Sequence, residues 1–219
     1  MVKRLYAVKH NYSATSNPLV TDDSSKLYSV GSQWYNGTAS LLWACASNAV
    51  GAASWELVNN TVNTNTSVVT VTNTVAETDL INFTVPANTL KTNSILMLNY
   101  GGKYLNNSGG NSTVRFRCYF GGTLAADSIA SSNIATNANA KGFLGEFRVA
   151  NQTTSIQNTS LKSNISSLAF STAGTLSGLV FGATAINTAA EVIVRVTVTH
   201  SVANAKITTT KFYHTMWIL

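Results

Sequence analysis

The chain has 219 residues, enough for one large β domain or for a small module joined to a medium one. Only 10% of them are charged and 45% are hydrophobic, so the chain can build a core and is not disordered as a whole. The formal net charge of +6 arises because acids are scarce, and from Lys91 to Arg195 the bases stand singly. Without a basic run, a nucleic-acid partner is not expected.

Thr and Val favour strands, and Asn and Gly favour turns, so the composition predicts an all-β protein. Residues 1–27 are polar and weakly periodic and are expected to form an arm. Its tip carries Lys3, Arg4, Lys9 and His10. The tip has no apolar run behind it, so it does not read as a secretory signal, and no stretch reaches the length of a membrane span. Residues 28–58 read as a small three-stranded antiparallel module, with strands over 29–35, 40–46 and 54–58. Asn36-Gly37 predicts a type I′ hairpin. Three of the four tryptophans, Trp34, Trp43 and Trp55, fall in this module beside Tyr35. In the second strand Leu41, Trp43 and Cys45 alternate with Leu42, Ala44 and Ala46, so both faces are apolar. A sheet of this size cannot cover two faces by itself. Trp34, Tyr35, Trp43 and Trp55 are therefore expected to form the module's own core or a docking face. A platform on which sugar rings stack is the weaker alternative.

Residues 59–67 (NNTVNTNTS) have linker composition. From residue 68 onward, strand candidates follow one another at 68–73, 80–85, 94–105, 112–120, 143–151, 161–170, 176–184, 191–201 and 207–219. A bulge is expected at Gly101-Gly102. The clearest alternation sets Val192, Val194, Val196 and Val198 against Ile193, Arg195, Thr197 and Thr199. Residues 124–132 are the best helical candidate. Roughly eight to ten strands with turn signals between them point to a sandwich or barrel. A strand at the very end of the chain suits a jelly roll of the tumour-necrosis-factor-like kind, with that strand central in a sheet.

Catalytic and metal-binding patterns are missing from the sequence. The acids do not pair across a recognisable cleft, and Glu77 and Asp79 are expected to be solvated charges at a strand entry. His10, His200 and His214 do not cluster. His200 and His214 come near each other only if the last two strands pair. Cys45 and Cys118 lie far apart without a metal spacing and are expected to be buried free thiols. No nucleotide, hydrolase or zincin motif occurs. The chain is thus not expected to be an enzyme, and no cofactor or metal is expected.

Several segments resemble structural proteins of tailed bacteriophages. In the N-terminal half the resemblance rests on YSVGSQW (28–34), Cys45 and AVGAASW (49–55). In the second half it rests on ETDL (77–80), FTVPANTL (83–90), GGKYLNNSG (101–109) and FGGT (120–123). The resemblance implies a virion surface protein: a head fibre, a capsid decoration protein or a tail fibre component. It further implies a homotrimer held to phage capsid or tail proteins by the N-terminal part, with the jelly roll over 68–219 projecting outward. A tail fibre that recognises host surface glycans is the alternative it implies. There is no heptad region between the two parts, which departs from a long fibre and implies a short knob.

Overall fold

The computed structural model describes residues 8–58, 61–128, 130–131, 133–165 and 178–219; over 178–181 it describes the strand but not its side chains. Lys3, Arg4 and part of the strand expected at 161–170 lie outside these residues. The described chain is all-β, with one short 3₁₀ turn at Ser24–Lys26. It divides into two units, residues 1–62 and 63–219.

The N-terminal unit holds a sheet of four strands: β1 (Asn11–Ala14), β2 (Gln33–Asn36), β3 (Leu41–Ser47) and β4 (Ser54–Leu57), in that order. The expectation of three antiparallel strands is corrected here, because β1 joins the edge parallel to β2. The expected arm at 1–27 is corrected with it. Its described residues fold into the unit, and Asn17, Asp22 and Asp23 are buried. The physical reason lies in the indoles: a buried indole N–H needs an acceptor. Trp34 Nε1 donates to the Ser16 carbonyl at 2.8 Å and Trp55 Nε1 to the Asp22 carbonyl at 3.0 Å. Asn36 Nδ2 also donates to Asn17 Oδ1 at 2.8 Å.

The Asn36-Gly37 turn differs from the expected type I′ form. Gly37 and Asn36 both keep negative φ, and the left-handed residue is Ser40, at φ 54°. The Asn36 side chain is buried under the turn, where its Oδ1 accepts from the Thr38 and Ala39 amides. This side-chain bonding supplies what a two-residue turn would have supplied through its backbone.

Within the segment expected to be a linker (59–67), β5 (Thr61–Asn65) is a strand, and the division between the units falls inside it. Ten further strands follow: β6 (Val69–Thr72), β7 (Thr78–Val85), β8 (Ser94–Asn106), β9 (Val114–Phe120), β10 (Thr123–Asp127), β11 (Lys141–Thr153), β12 (Ile156–Ile165), β13 (Gly178–Thr184), β14 (Val192–His200) and β15 (Ile207–Ile218). One sheet runs β10-β9-β14-β7. The other runs β13-β12-β11-β8-β15-β5, with β6 also on β15. The chain crosses between the two sheets at β6–β7, β7–β8, β8–β9, β10–β11, β13–β14 and β14–β15, which is jelly-roll connectivity; β9–β10 is a hairpin within the smaller sheet, and β12 and β13 extend the larger one. The C-terminal strand β15 is internal, paired to β8 on one side and β6 on the other. The first part of the helical candidate at 124–132, of which residues 129 and 132 lie outside the described residues, is instead strand, in β10, antiparallel to β9. Its local sequence tolerates a helix, but Ala125 and Ala126 are buried in the sandwich.

The core lies between the two sheets. Val192, Val194, Val196 and Val198 of β14 point into it, as do Val114, Phe116, Cys118 and Phe120 of β9. Phe116 meets Phe143 of β11 with ring centroids 5.1 Å apart, and Tyr100 of β8 lies 6.3 Å from Phe116. At Gly101-Gly102 strand β8 is continuous, and the irregularity lies on its partner, where β15 shifts register between Lys211 and Tyr213. Gly102 is required by close approach, because a Cβ there would stand 2.0 Å from the Thr210 carbonyl oxygen. Gly145 is opposite Tyr100, and a Cβ there would stand 2.1 Å from Tyr100 Cζ. The tyrosine ring fills the space that a side chain would occupy.

Candidate functional site

Trp34, Trp43 and Trp55 are buried, with Tyr28, in the core of the N-terminal unit. Tyr28, Trp34 and Trp55 pack with centroids 5.4 to 5.8 Å apart, two of the three pairs edge-on. Edge-to-face packing is the arrangement that the charge distribution of aromatic rings favours. Three indoles in so short a segment thus give a small sheet the buried area it otherwise lacks. None of the three presents a free ring face to a sugar. Tyr35 lies on the other side of the sheet and is partly exposed, near Leu42, its cross-strand partner. The bases of the tip that are described fold against the unit. Lys9 Nζ donates to the Lys26 carbonyl and lies 4.3 Å from the Tyr28 ring centroid, and His10 Nδ1 accepts from the Gln33 amide.

The acidic loop at 22–23 is structural. Asp23 accepts from the Ser25 hydroxyl and amide and from the Gly51 amide, at 2.6 to 2.8 Å. The Ser25 hydroxyl and then the Gly51 amide hold its carboxyl below the usual carboxylate range. Asp22 accepts from the Leu19 amide and from Lys26. The Gly51 bond ties the segment before β2 to the loop between β3 and β4, and the others hold that segment in shape.

In the larger unit the two outer sheet faces differ in chemistry. The four-stranded sheet carries a compensated ion network. Asp79 binds Arg195, Glu77 accepts from Tyr119, Thr197 and Arg117, and Asp127 binds Arg115 and Arg117. Glu77 and Asp79 are therefore paired, in contrast to the solvated charges expected. Burial pushes the Glu77 carboxyl up, but its three hydrogen-bond donors outweigh that and hold it below its usual range.

The outer face of the larger sheet has a groove of about 340 Å³, within the usual ligand-site range of ~300–1,000 Å³. Its floor lies at Tyr100 and Gly145. Strand register builds its walls from two rows. Tyr213, Gly101, Leu144 and Asn164 are successive cross-strand partners, and so are Asn99, Glu146 and Lys162. Tyr213 lies against Gly101, where a Cβ would stand 2.8 Å from its ring. Tyr213 is 40% exposed and Leu144 61%. The side-chain oxygen of Asn99 is buried and has no hydrogen-bond partner among the described residues. Glu146 is bound by Arg148 Nε at 2.8 Å. Lys162 forms no ion pair among the described residues, although Glu146 is its cross-strand neighbour. These residues escaped sequence analysis because their grouping depends on which strands are neighbours.

The histidines do not form a site. β14 and β15 lie in different sheets, so His200 and His214 are not paired through their strands. His200 Nε2 contacts Thr209 Oγ1 at 2.7 Å, and burial pushes its pKa down to about 4. His214 Nε2 contacts Asn63 Oδ1 at 2.6 Å, and Lys211 Nζ approaches its Nδ1 at 3.4 Å. Burial, then the Lys211 charge, push its pKa down to about 4 as well. Cys45 and Cys118 are buried and free. Among the described residues no group of His, Cys, Asp and Glu is placed to hold a metal.

No family model matches the chain, and no curated protein matches it. Among solved structures it is similar to the CBM2 module of Lactobacillus casei BL23 phage J-1 evolved Dit. That likeness has a TM-score of 0.30 at 12% identity, over 63% of this chain and 68% of that one. It is also similar to a structure of infectious bursal disease virus, Gx strain, with a TM-score of 0.22 at 12% identity, over 76% of this chain and 44% of that one. Likenesses this slight establish neither a family nor a function.

Proposed function

We propose that the protein is a structural component of a phage particle. In this reading it is a homotrimer on the virion surface, of head-fibre or capsid-decoration type, held by its N-terminal unit and presenting the jelly roll outward. One observation carries the reading: the chain comprises two separately cored β units, one small and built on buried indoles, the other a two-sheet jelly roll. The first suits a docking module, and the second a knob that survives outside a cell. The segments that resemble phage structural proteins are spread over both units, which agrees with this division.

Two measurements test it. Light scattering behind a sizing column is expected to give three times the 23.2 kDa chain mass. Particles lacking the protein are expected to take it up again when it is added back, and to refuse a variant with Trp43→Ala in the N-terminal unit. A monomer that does not bind such particles overturns the proposal.

The second reading, a receptor-binding protein that recognises host glycans, is favoured by one observation: the groove on the larger sheet combines an exposed aromatic ring with amide and charged side chains.

A further inference from the structure

The geometry points to the groove between Tyr213 and Lys162 as a saccharide site, one that takes a sugar ring bearing an acidic group. This deepens the glycan reading by naming its site and ligand class.

A pyranose has a face of C–H bonds and a rim of hydroxyls. The face needs an exposed, rigid, apolar surface, and the rim needs groups that both donate and accept. Tyr213 supplies the surface. Its ring is held against Gly101, where no side chain intervenes, and remains 40% exposed. Leu144, beside Gly101 in the register, continues the apolar strip at 61% exposure. Asn99 and Asn164 supply the amides, each with a carbonyl to accept and an NH₂ to donate. The Asn99 oxygen is shut off from solvent and has no partner among the described residues; a small rotation of the amide brings it into the groove, where a ligand hydroxyl would relieve the cost of leaving it unpaired.

Charge selects the class of sugar. Glu146 and Lys162 both line the groove. The carboxylate of Glu146 is already bound by Arg148, whereas Lys162 forms no ion pair among the described residues. The local balance is one uncompensated cation. A carboxylate or similar acidic group on the sugar gains a charge-assisted hydrogen bond there, and a neutral sugar does not. By contrast, the outer face of the four-stranded sheet has its three arginines matched by three carboxylates, and it offers no such imbalance.

Saturation-transfer NMR on the full chain tests the site. The probe is a mixture of glucose, galactose, glucuronate, galacturonate and N-acetylneuraminate at millimolar concentration. At least one acidic sugar is expected to receive saturation at its ring protons, and the neutral sugars much less. Lys162→Ala, an exposed change that leaves folding intact, is expected to weaken the acidic sugar roughly tenfold and to leave neutral sugars unchanged. Tyr213→Ala is expected to abolish transfer to all of them, with an unchanged far-UV spectrum as the folding control. The proposal is overturned if no acidic sugar receives saturation, or if Lys162→Ala leaves the preference for acid intact. It is equally overturned if a second copy of the chain covers the groove in solution, read as protection of Leu144 and Tyr213 on oligomerisation. The oligomer mass and the particle-binding assay are separate measurements, so failure of the saccharide site leaves the structural reading standing, and the converse also holds.

Discussion

Acid should destabilise the jelly roll through two histidines before any carboxylate contributes. His200 and His214 each have a folded pKa of about 4, against 6.5 for the free side chain. Because both folded values lie below the unfolded one, the unfolded chain binds more protons between those limits. Stability is therefore complete above pH 6.5 and falls as the pH drops through that window. One pKa unit corresponds to about 1.4 kcal/mol, so His200 accounts for about 2.5 kcal/mol between pH 7 and pH 4.5. The His214 shift comes from burial first and in part from the nearby Lys211 charge, and about 1.5 kcal/mol is allowed for it. The combined loss of about 4 kcal/mol is a large share of the ~5–15 kcal/mol that holds a typical domain folded. The lowered carboxyl of Glu77 acts in the same direction only below its own usual range near 4.5. The assay is urea unfolding at several pH values between 7 and 4.5, followed by far-UV circular dichroism. Protein concentration is held constant because subunit association would shift the midpoint. Tryptophan fluorescence reports the other unit separately, since three of the four indoles lie there. The double variant His200→Gln, His214→Gln should start less stable at pH 7 and lose far less on acidification. A stability that stays level from pH 7 to pH 5, or a slope that survives in the double variant, would refute the reasoning.

Trp43 is 1% exposed, and Trp43→Ala should cost the N-terminal unit about 3–5 kcal/mol; a fluorescence-monitored transition at lower urea, with the jelly-roll transition unmoved, is the expected record. Gly145→Ala should destabilise the jelly roll by about 1–3 kcal/mol, because the new Cβ meets the Tyr100 ring. Differential scanning calorimetry reads this, and Tyr100→Leu in the same chain should recover part of the loss. Burial pushes the thiols of Cys45 and Cys118 up, so a thiolate-specific reagent at pH 8 should leave both unmodified in the native protein and modify two per chain in urea.

Much of the architecture was legible along the chain. A period of two is local information, and Val192 to Val198 or Val114 to Phe120 display it without ambiguity, so the strands and their buried faces could be read directly. The same holds for the all-β class and for the central position of the last strand. Segments whose partners are distant do not declare themselves in this way. Residues 11–14 and 61–65 are too polar to declare themselves as strands, and they become strands only because β2 and β15 offer open edges. Residues 124–132 have a composition that a helix would accept, and only the exposed edge of β9 settles their first part as β10.

The sequence by itself determined the class of protein, the strand-rich second half and the clustering of indoles, because composition and alternation belong to neighbouring residues. Only the tertiary structure decided that the indoles face inward, that Glu77 and Asp79 answer Arg117 and Arg195, and that Tyr213, Asn99, Glu146 and Lys162 share one groove. Residues more than a hundred positions apart become neighbours through strand order and register. These are set by the summed hydrogen bonding and burial of whole sheets, and no local stretch of the chain records them.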